Sequence, residues 1–483
     1  MRIGLLILAV LLGAVAWGKA PFVVGARENV VILGDSITAD GRYAELVQRA
    51  IDATYPERQI HVISSGASGD TVPRAVARLE SDVVVWRPSW VIINLGINDL
   101  GQYSVDEYLQ HYENLLNRIT RDTGAQIAIM SFIYPDRDAG LDRKKAAAFV
   151  AGIKALAARY HCRYLPGYET FRAIRPTLPK GVMYAPDGIH PNLLGYHIFS
   201  EVVLAGMAFP LANATRELSL PDTRVAPIDD PGAPALIGTQ FTLALPQPIH
   251  VTVTPYTPPT TSVPRAGKPV KIDGQLDEWD LTNPLVIDQP AMQVGGTLRW
   301  GFDRRATGRA YTSYDDMAWY CAIMVETPQV IGKPVNEFTV TCDCVEVMVD
   351  LRTSEERAAA NTTTFAGRPM PRVAQYVLFP AVDGVPASVE VGGGDKAMKQ
   401  DVTVASSLTK TGYILEMSVP AHLFANGVIP AGATYGLDIT IDDVDRYRRW
   451  PDLVQMRWSG SQYSFFSTAE YGKMTLSKDM PPK

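Results

Sequence analysis

A serine at 36, a glycine at 69, an asparagine at 98, an aspartate at 187 and a histidine at 190 are the residues whose types and spacing could do chemistry together. Hydrolysis by a serine needs a hydroxyl nucleophile, an imidazole to take its proton, a carboxylate to hold that imidazole, and donors for the developing oxyanion. Ser36 is the candidate nucleophile. Asp187 and His190 are three residues apart, so one turn of chain can bring the carboxylate to Nδ1 and leave Nε2 for the serine. Gly69 has no side chain to keep its N–H from a substrate oxygen, and the Asn98 amide can be a second donor. This chemistry calls for no cofactor and no metal ion.

Other residues of the same types read differently. Gly34-Asp35-Ser36 taken alone is a polar strand-to-helix turn, and only its company makes it more. Ser68, in Gly-Ala-Ser-Gly, lacks the pattern of a nucleophile elbow. His61, His111 and His161 have no carboxylate at a telling spacing, and His197 falls on a helical face. Asp35 and Asp99 read as turn-stabilising.

The elements that must position these residues are legible. Val30 to Leu33 is a short β-branched run, as in a strand buried on both faces. Ile60–Ser64, Trp90–Leu95, Gln126–Phe132 and Cys162–Leu165 repeat the pattern. Helical stripes alternate with them: Tyr43, Leu46, Val47, Ala50 and Ile51; then Leu109, Tyr112, Leu115, Leu116 and Ile119 behind a Ser104/Glu107 capping box; then Ala146, Phe149, Val150, Ile153 and Leu156. This rhythm predicts a parallel sheet with helices on both faces. Ligands of such sheets bind beyond the carboxyl ends of the strands, where Ser36, Gly69 and Asn98 all fall.

At 483 residues the chain is too long for one ordinary core. A formal charge of −6 offers no long-range attraction for nucleic acid or anionic lipid. Arg2 and the apolar run Ile3–Ala16, followed by Trp17 and Gly18, predict a secretory signal peptide over 1–18, cut after Ala16 or Gly18. No cysteine follows the run, so no lipid anchor is expected, and no later stretch is suited to spanning a membrane. The expected location is secreted or periplasmic. Of the four cysteines, Cys162, Cys321, Cys342 and Cys344, the pair expected to form a disulfide is Cys321 with Cys342 or Cys344. Three thiols with no nearby histidine match zinc spacings poorly.

The motifs around the candidate residues are GDSIT at Ser36, SGDT at Gly69, GIND at Asn98 and DGIHPN at Asp187 and His190. In this order and spacing the segment from 29 to about 208 resembles the SGNH hydrolases, also called the GDSL family. The resemblance implies a flavodoxin-like three-layer α/β/α fold and ester or thioester hydrolysis through an acyl-enzyme. It makes Ser36 both the nucleophile and, through its N–H, the first oxyanion donor, with Gly69 and Asn98 completing the hole. His190 becomes the base and Asp187 its orienting carboxylate. Isoleucine and threonine follow the serine where the name-giving motif has leucine.

Beyond this domain, assigned to 19–210, prolines recur at 221, 227, 231, 234, 246, 248, 255, 258, 259 and 264. They predict an extended linker over 211–264, within which 241–245 and 250–254 alternate like strands. From 265 to 483 short alternating strands predict a second, all-β sandwich domain. Val270-Lys-Ile-Asp-Gly-Gln-Leu-Asp-Glu-Trp279 opens a stretch resembling family 9 carbohydrate-binding modules. That resemblance implies sugar binding by ring stacking on aromatics. Trp300, Trp450 and Trp458 are the candidates, while Trp279 reads as core. Asp438, Asp442, Asp443 and Asp445 read as a solvated strand end, with calcium binding the alternative. His422 is the one histidine of the stretch, which leaves haem ligation without support.

These readings combine into a secreted serine esterase that removes an acyl group, acetyl foremost, from a carbohydrate held by the second domain. One rival is a lysophospholipase or thioesterase with a structural sandwich appendage. A rival of another class is a catalytically inactive carbohydrate-binding surface protein. The intact set Ser36, Asn98, Asp187 and His190 counts against the latter.

Overall fold

Five parallel strands form the centre of the first unit: β1 (Asn29–Gly34), β2 (His61–Gly66), β3 (Trp90–Asn94), β4 (Gln126–Met130) and β5 (Arg163–Leu165), in the order β2-β1-β3-β4-β5. The computed structural model describes residues 22–136, 141–178, 182–185, 187–211, 215–222, 240–255, 257–289, 292–295, 306–332, 342–359, 370–444, 453–459 and 468–478. The expected signal peptide, Trp300, Trp450 and Asp445 lie outside these residues.

Eight helices accompany the strands among the described residues: α1 (Ser36–Ala39), α2 (Arg42–Thr54), α3 (Val72–Ala77), α4 (Leu79–Asp82), α5 (Val105–Thr123), α6 (Arg143–Arg159), α7 (Gly167–Ile174) and α8 (Leu193–Gly206). The sheet alternation divides two cores. Val30, Ile32 and Ile92 face Tyr43, Val47 and Ile51 of α2 and Ile198 and Val202 of α8. Val31, Leu33, Val91 and Ile93 face Leu79, Leu115, Leu116, Ile119, Phe149 and Ile153. Burial on both faces is why these strands read as continuous apolar runs. The fold is a three-layer α/β/α sandwich. The Ser104/Glu107 capping box does start α5, with both reciprocal bonds made.

The proline-rich segment departs from an extended linker. Among the described residues it contributes β6 (Arg216–Asp222), β7 (Gln240–Leu243) and β8 (Ile249–Pro255), a three-stranded sheet ordered β6-β8-β7. Leu220, Leu243, Leu245, Ile249, Val251 and Val253 are buried in the same cluster as Val202, Val203 and Phe209 at the end of the hydrolase-like fold. The period-2 run Ile249, Val251, Val253 decides the structure. The prolines bracket it at 246, 248 and 255 or, at 221, fall on an edge strand, where a missing donor is tolerated. The chain divides into its two compact units beyond this sheet, at Tyr256/Thr257.

Among its described residues the second unit is all-β apart from one short helix, α9 (Ser354–Ala359), and single helical turns. In chain order its strands are β9 (Thr260–Val263), β10 (Leu285–Ile287), β11 (Gln293–Gly295), β12 (Thr307–Tyr314), β13 (Ala318–Glu326), β14 (Cys344–Asp350), β15 (Val373–Phe379), β16 (Ser388–Gly394), β17 (Thr403–Leu408), β18 (Gly412–Pro420), β19 (Thr434–Val444), β20 (Leu453–Arg457) and β21 (Gly472–Leu476). One sheet runs β10-β12-β13-β18-β17; the other runs β11-β20-β19-β14-β15-β16, with β21 between β19 and β9. Trp319, Cys321, Ile323, Leu415 and Met417 of the first sheet share one core with Val345, Val347, Val349, Leu437 and Ile439 of the second. The opening motif is locked by Glu416, fully buried, which accepts from the N–H groups of Asp273 and Gly274 and from Trp279 Nε1. Trp279, read as core, is half-buried.

Three expectations are corrected here. All four cysteines are free thiols. Cys321 points into the sandwich core, whereas Cys344, one residue out of phase with Val345 and Val347, points off the opposite face and donates to Asp442 Oδ2 at 3.1 Å. Their Cβ atoms stand in different layers and cannot be bridged. Trp458 is only 7 % exposed, and its ring fills the space where a side chain on Gly472 would lie. A ring packed into a core offers no face to a sugar. Asp438 and Asp442 are buried rather than solvated: Asp438 accepts from Ser459 N and Oγ, and Asp442 from Gln455 Nε2.

Candidate active site

Glycines and short polar side chains shape the strand ends where the candidate residues sit. β1 stops at Gly34, where a Cβ would lie 2.0 Å from Thr38 Oγ1 and 2.9 Å from the Asn94 carbonyl. Asp35 caps α1 by accepting from Ile37 N at 3.0 Å, so Ser36 is the first residue of that helix. Ser64 Oγ holds the far end of α1 by donating to Thr38 O at 2.6 Å. After β2, Gly69 adopts φ +75°, a region that favours glycine, and is exposed. The nearest atom to a Cβ there would be Arg74 Nη1 at 3.9 Å, so the space in front of Gly69 is open. After β3, Asn98 Nδ2 donates to Asp70 O at 2.9 Å, which aims its amide and leaves the second hydrogen.

The loop bearing Asp187 and His190 is a tight hairpin. Ala185 N donates to His190 O at 2.8 Å and Gly188 N to Ala185 O at 2.9 Å. Asp187 Oδ1 accepts from the N–H groups of Ile189 and His190, at 2.9 and 3.0 Å. Asn192 closes the hairpin, with Nδ2 on Val182 O and Oδ1 capping α8. From the side, Asp136 N donates to Gly188 O at 2.8 Å while Arg175 Nε donates to Asp136 Oδ1 at 2.5 Å.

The result is a continuous chain of three side chains. His190 Nδ1 lies 2.5 Å from Asp187 Oδ2, and His190 Nε2 lies 2.8 Å from Ser36 Oγ, across 154 residues of sequence. Burial alone would lower the His190 pKa; the Asp187 hydrogen bond and charge, with the charges of Asp35 and Asp40, outweigh it and hold the imidazole above its ordinary value. Burial works against the Asp187 charge too, but the bonds from His190 and the two backbone N–H groups hold that carboxyl below its ordinary range. Asp35 is fully buried, and desolvation pushes it up to about 7. The arrangement can take a proton from Ser36, keep the resulting imidazolium, and offer donors from three separate loops to an oxyanion.

Among the competing residues, Ser68 is exposed at the tip of the Gly69 turn. His197 is half-buried on α8, and burial followed by the Arg216 charge lowers it to about 4. Two residues that sequence reasoning passed over brace the site: Asp136, behind the hairpin of Asp187 and His190, and Arg78, buried beneath the glycine loop. Arg78 carries the one available signal, an aspartate four residues on, but such pairs usually mark a helix surface.

Parts of the chain are similar to known proteins. Residues 32–198 match the GDSL-like lipase/acylhydrolase family, and residues 272–479 match the carbohydrate family 9 binding domain-like family. The chain thus carries a GDSL-like lipase/acylhydrolase domain followed by a family 9-like domain, and its chemistry is that of an ester hydrolase. Its first part is 28% identical over 212 residues to an acetylxylan esterase of Geobacillus stearothermophilus, covering 38% of this chain and 96% of that protein. It is 29% identical over 172 residues to the thioesterase 1/protease 1/lysophospholipase L1 of Escherichia coli K12, covering 35% of this chain and 79% of that one. A crystal structure of the Geobacillus acetylxylan esterase aligns at 27% identity with a TM-score of 0.36, covering 39% of this chain and 97% of that one. No helix among the described residues is long and apolar enough to cross a membrane.

Proposed function

We propose that this protein is a secreted serine esterase that removes acetyl or another small acyl group from a carbohydrate. The observation that carries the chemistry is His190, with one ring nitrogen on Asp187 and the other on Ser36. Ser36 Oγ attacks the ester carbonyl as His190 Nε2 takes its proton. Asp187 stabilises the imidazolium and fixes its orientation. The Ser36 and Gly69 N–H groups and the Asn98 amide stabilise the oxyanion of the tetrahedral intermediate. That intermediate collapses to acyl-Ser36, and the sugar hydroxyl leaves with the proton from His190. Water, deprotonated by His190, then attacks the acyl-enzyme and releases the acid.

The carbohydrate half of the reading is supported by the family 9-like domain and by the acetylxylan esterase among the relatives. Holding the enzyme on its polymer raises the local substrate concentration without altering the chemistry. The thioesterase/lysophospholipase relative supports the second reading, a long-chain acyl substrate with the sandwich as an appendage. Turnover of p-nitrophenyl esters from acetyl to palmitoyl, beside acetate release from acetylated xylan, separates them. Highest kcat/KM on acetyl together with acetate release from xylan is the expected result. A rise with chain length and no acetate release would favour the second reading.

A further inference from the structure

Arg78 lies between α3 and α4, is 2 % exposed, and spends every N–H it has. Nε donates to Asp70 Oδ2 at 2.7 Å. Nη1 donates to Asp82 Oδ2 at 2.9 Å and Ser65 Oγ at 3.2 Å. Nη2 donates to Gly34 O at 2.9 Å and Ser65 O at 3.1 Å. A guanidinium has five donors in a fixed plane, and all five are used.

The acceptors are not a random set. Gly34 O is two residues before Ser36 and also accepts from Ala67 N at 3.1 Å, which joins the nucleophile turn to the glycine loop. Ser65 is the penultimate residue of β2, the strand that leads into that loop. Asp70 follows Gly69, and its own carbonyl takes the Asn98 amide at 2.9 Å. The glycine loop is tied to the asparagine loop a second time, by Val72 N on Asp99 Oδ1 at 3.0 Å. One buried guanidinium thus joins the nucleophile turn to the glycine loop directly, and the asparagine loop is tied to both through Asp70 and Val72.

We propose that Arg78 is a positioning residue for the oxyanion hole: it fixes Gly69 and Asn98 relative to Ser36 while touching no reacting atom. The inference rests on the serine-hydrolase reading above. A hole set by three loops is sensitive to their relative position, because its donors must be aimed at the oxyanion and not at the ground-state carbonyl. Lysine has three donors on a compact head and cannot reach this acceptor set. A merely structural arginine would lower stability and leave the per-molecule chemistry of the folded fraction unchanged.

The test is a double-mutant cycle on p-nitrophenyl acetate with Arg78→Lys, Asn98→Ala and the double variant, each titrated for active sites with an organophosphonate. Arg78→Lys should lower kcat by about 10–10²-fold, the scale of an ångström-size misplacement, with KM little changed. The rate of phosphonate labelling should fall in proportion. In the Asn98→Ala background the same substitution should cost much less, because the donor it aims has gone. Unchanged kcat in folded Arg78→Lys, or losses that multiply across the cycle, would overturn the proposal. If Arg78→Lys does not fold, Asp70→Asn decides the matter by the same cycle, since it weakens the Arg78 contact while keeping the carbonyl that receives Asn98. A parent enzyme that neither turns over the ester nor takes the phosphonate would instead refute the serine-hydrolase reading itself.

Discussion

Glu201, fully buried on the last helix of the hydrolase-like fold, is paired with Arg216, the first residue of β6, and its other oxygen accepts from Gln247 N at 3.3 Å. One carboxylate thus clamps two points of the proline-rich segment onto α8, over a core that also holds Leu220, Leu243, Ile249, Val251 and Val253.

Truncation follows from that clamp. A chain ending near Met207 loses those apolar side chains, each worth roughly 1.5–3 kcal/mol when buried, and leaves Glu201 without its partner. A domain is stable by only about 5–15 kcal/mol. The short chain should be insoluble or unfolded, whereas one ending at Tyr256 should keep full activity on p-nitrophenyl acetate. Thermal melts and turnover of both shortened chains check this. Full activity in the shorter one would show the three-stranded sheet to be dispensable.

The oxyanion donor gives a kinetic prediction. Asn98→Ala should lower kcat by about 10²–10³-fold with KM much less affected, because the bond strengthens in the transition state. Its position on Asp70 O means the amide is preset, with no reorganisation at the moment of reaction. A change confined to KM would place Asn98 in substrate binding instead.

His190 must be neutral to act, and Asp187 with Asp35 and Asp40 holds its pKa above the ordinary imidazole value despite burial. The rising limb of kcat/KM should therefore lie above pH ~6.5, the reference for a free imidazole. Asp187→Asn removes the chief raising influence and leaves burial. The limb should then move to lower pH while kcat falls by roughly 10⁴-fold, the scale of losing the orienting carboxylate in a serine triad. A pH–rate profile of both enzymes reads the sign directly.

The cysteines give a structural check. With Cys321 in the sandwich core and Cys344 off the opposite face, no bridge can form between them. Protein purified without reductant and denatured should titrate as four free thiols. Two would indicate a disulfide and contradict the free-thiol state of the four.

Three of the five candidate residues are legible in the sequence because each follows a strand. The β-branched runs at Val30, Ile60 and Trp90 announce buried parallel strands, and topology brings their carboxyl ends to one edge, where Ser36, Gly69 and Asn98 meet. The Asp187/His190 spacing completes the set within one hairpin. What stayed hidden depends on burial that local pattern does not encode. Arg78 with Asp82 reads as an exposed i,i+4 pair but is buried under two loops. The strand-like alternation at 241–245 and 250–254 is legible, but its packing onto the core of the first unit is not, because the prolines from 221 to 264 read as a linker. Trp458 reads as a strand-end platform, and only the packing of Gly472 shows that its face is filled.

The central claim is that Ser36, activated by His190, is the nucleophile. Incubation with a fluorophosphonate, followed by peptide mass spectrometry, tests it most directly. The account predicts a single adduct on Ser36, lost in Ser36→Ala and strongly slowed in His190→Ala. An adduct on Ser68, or labelling of Ser36 at the same rate without His190, would contradict it.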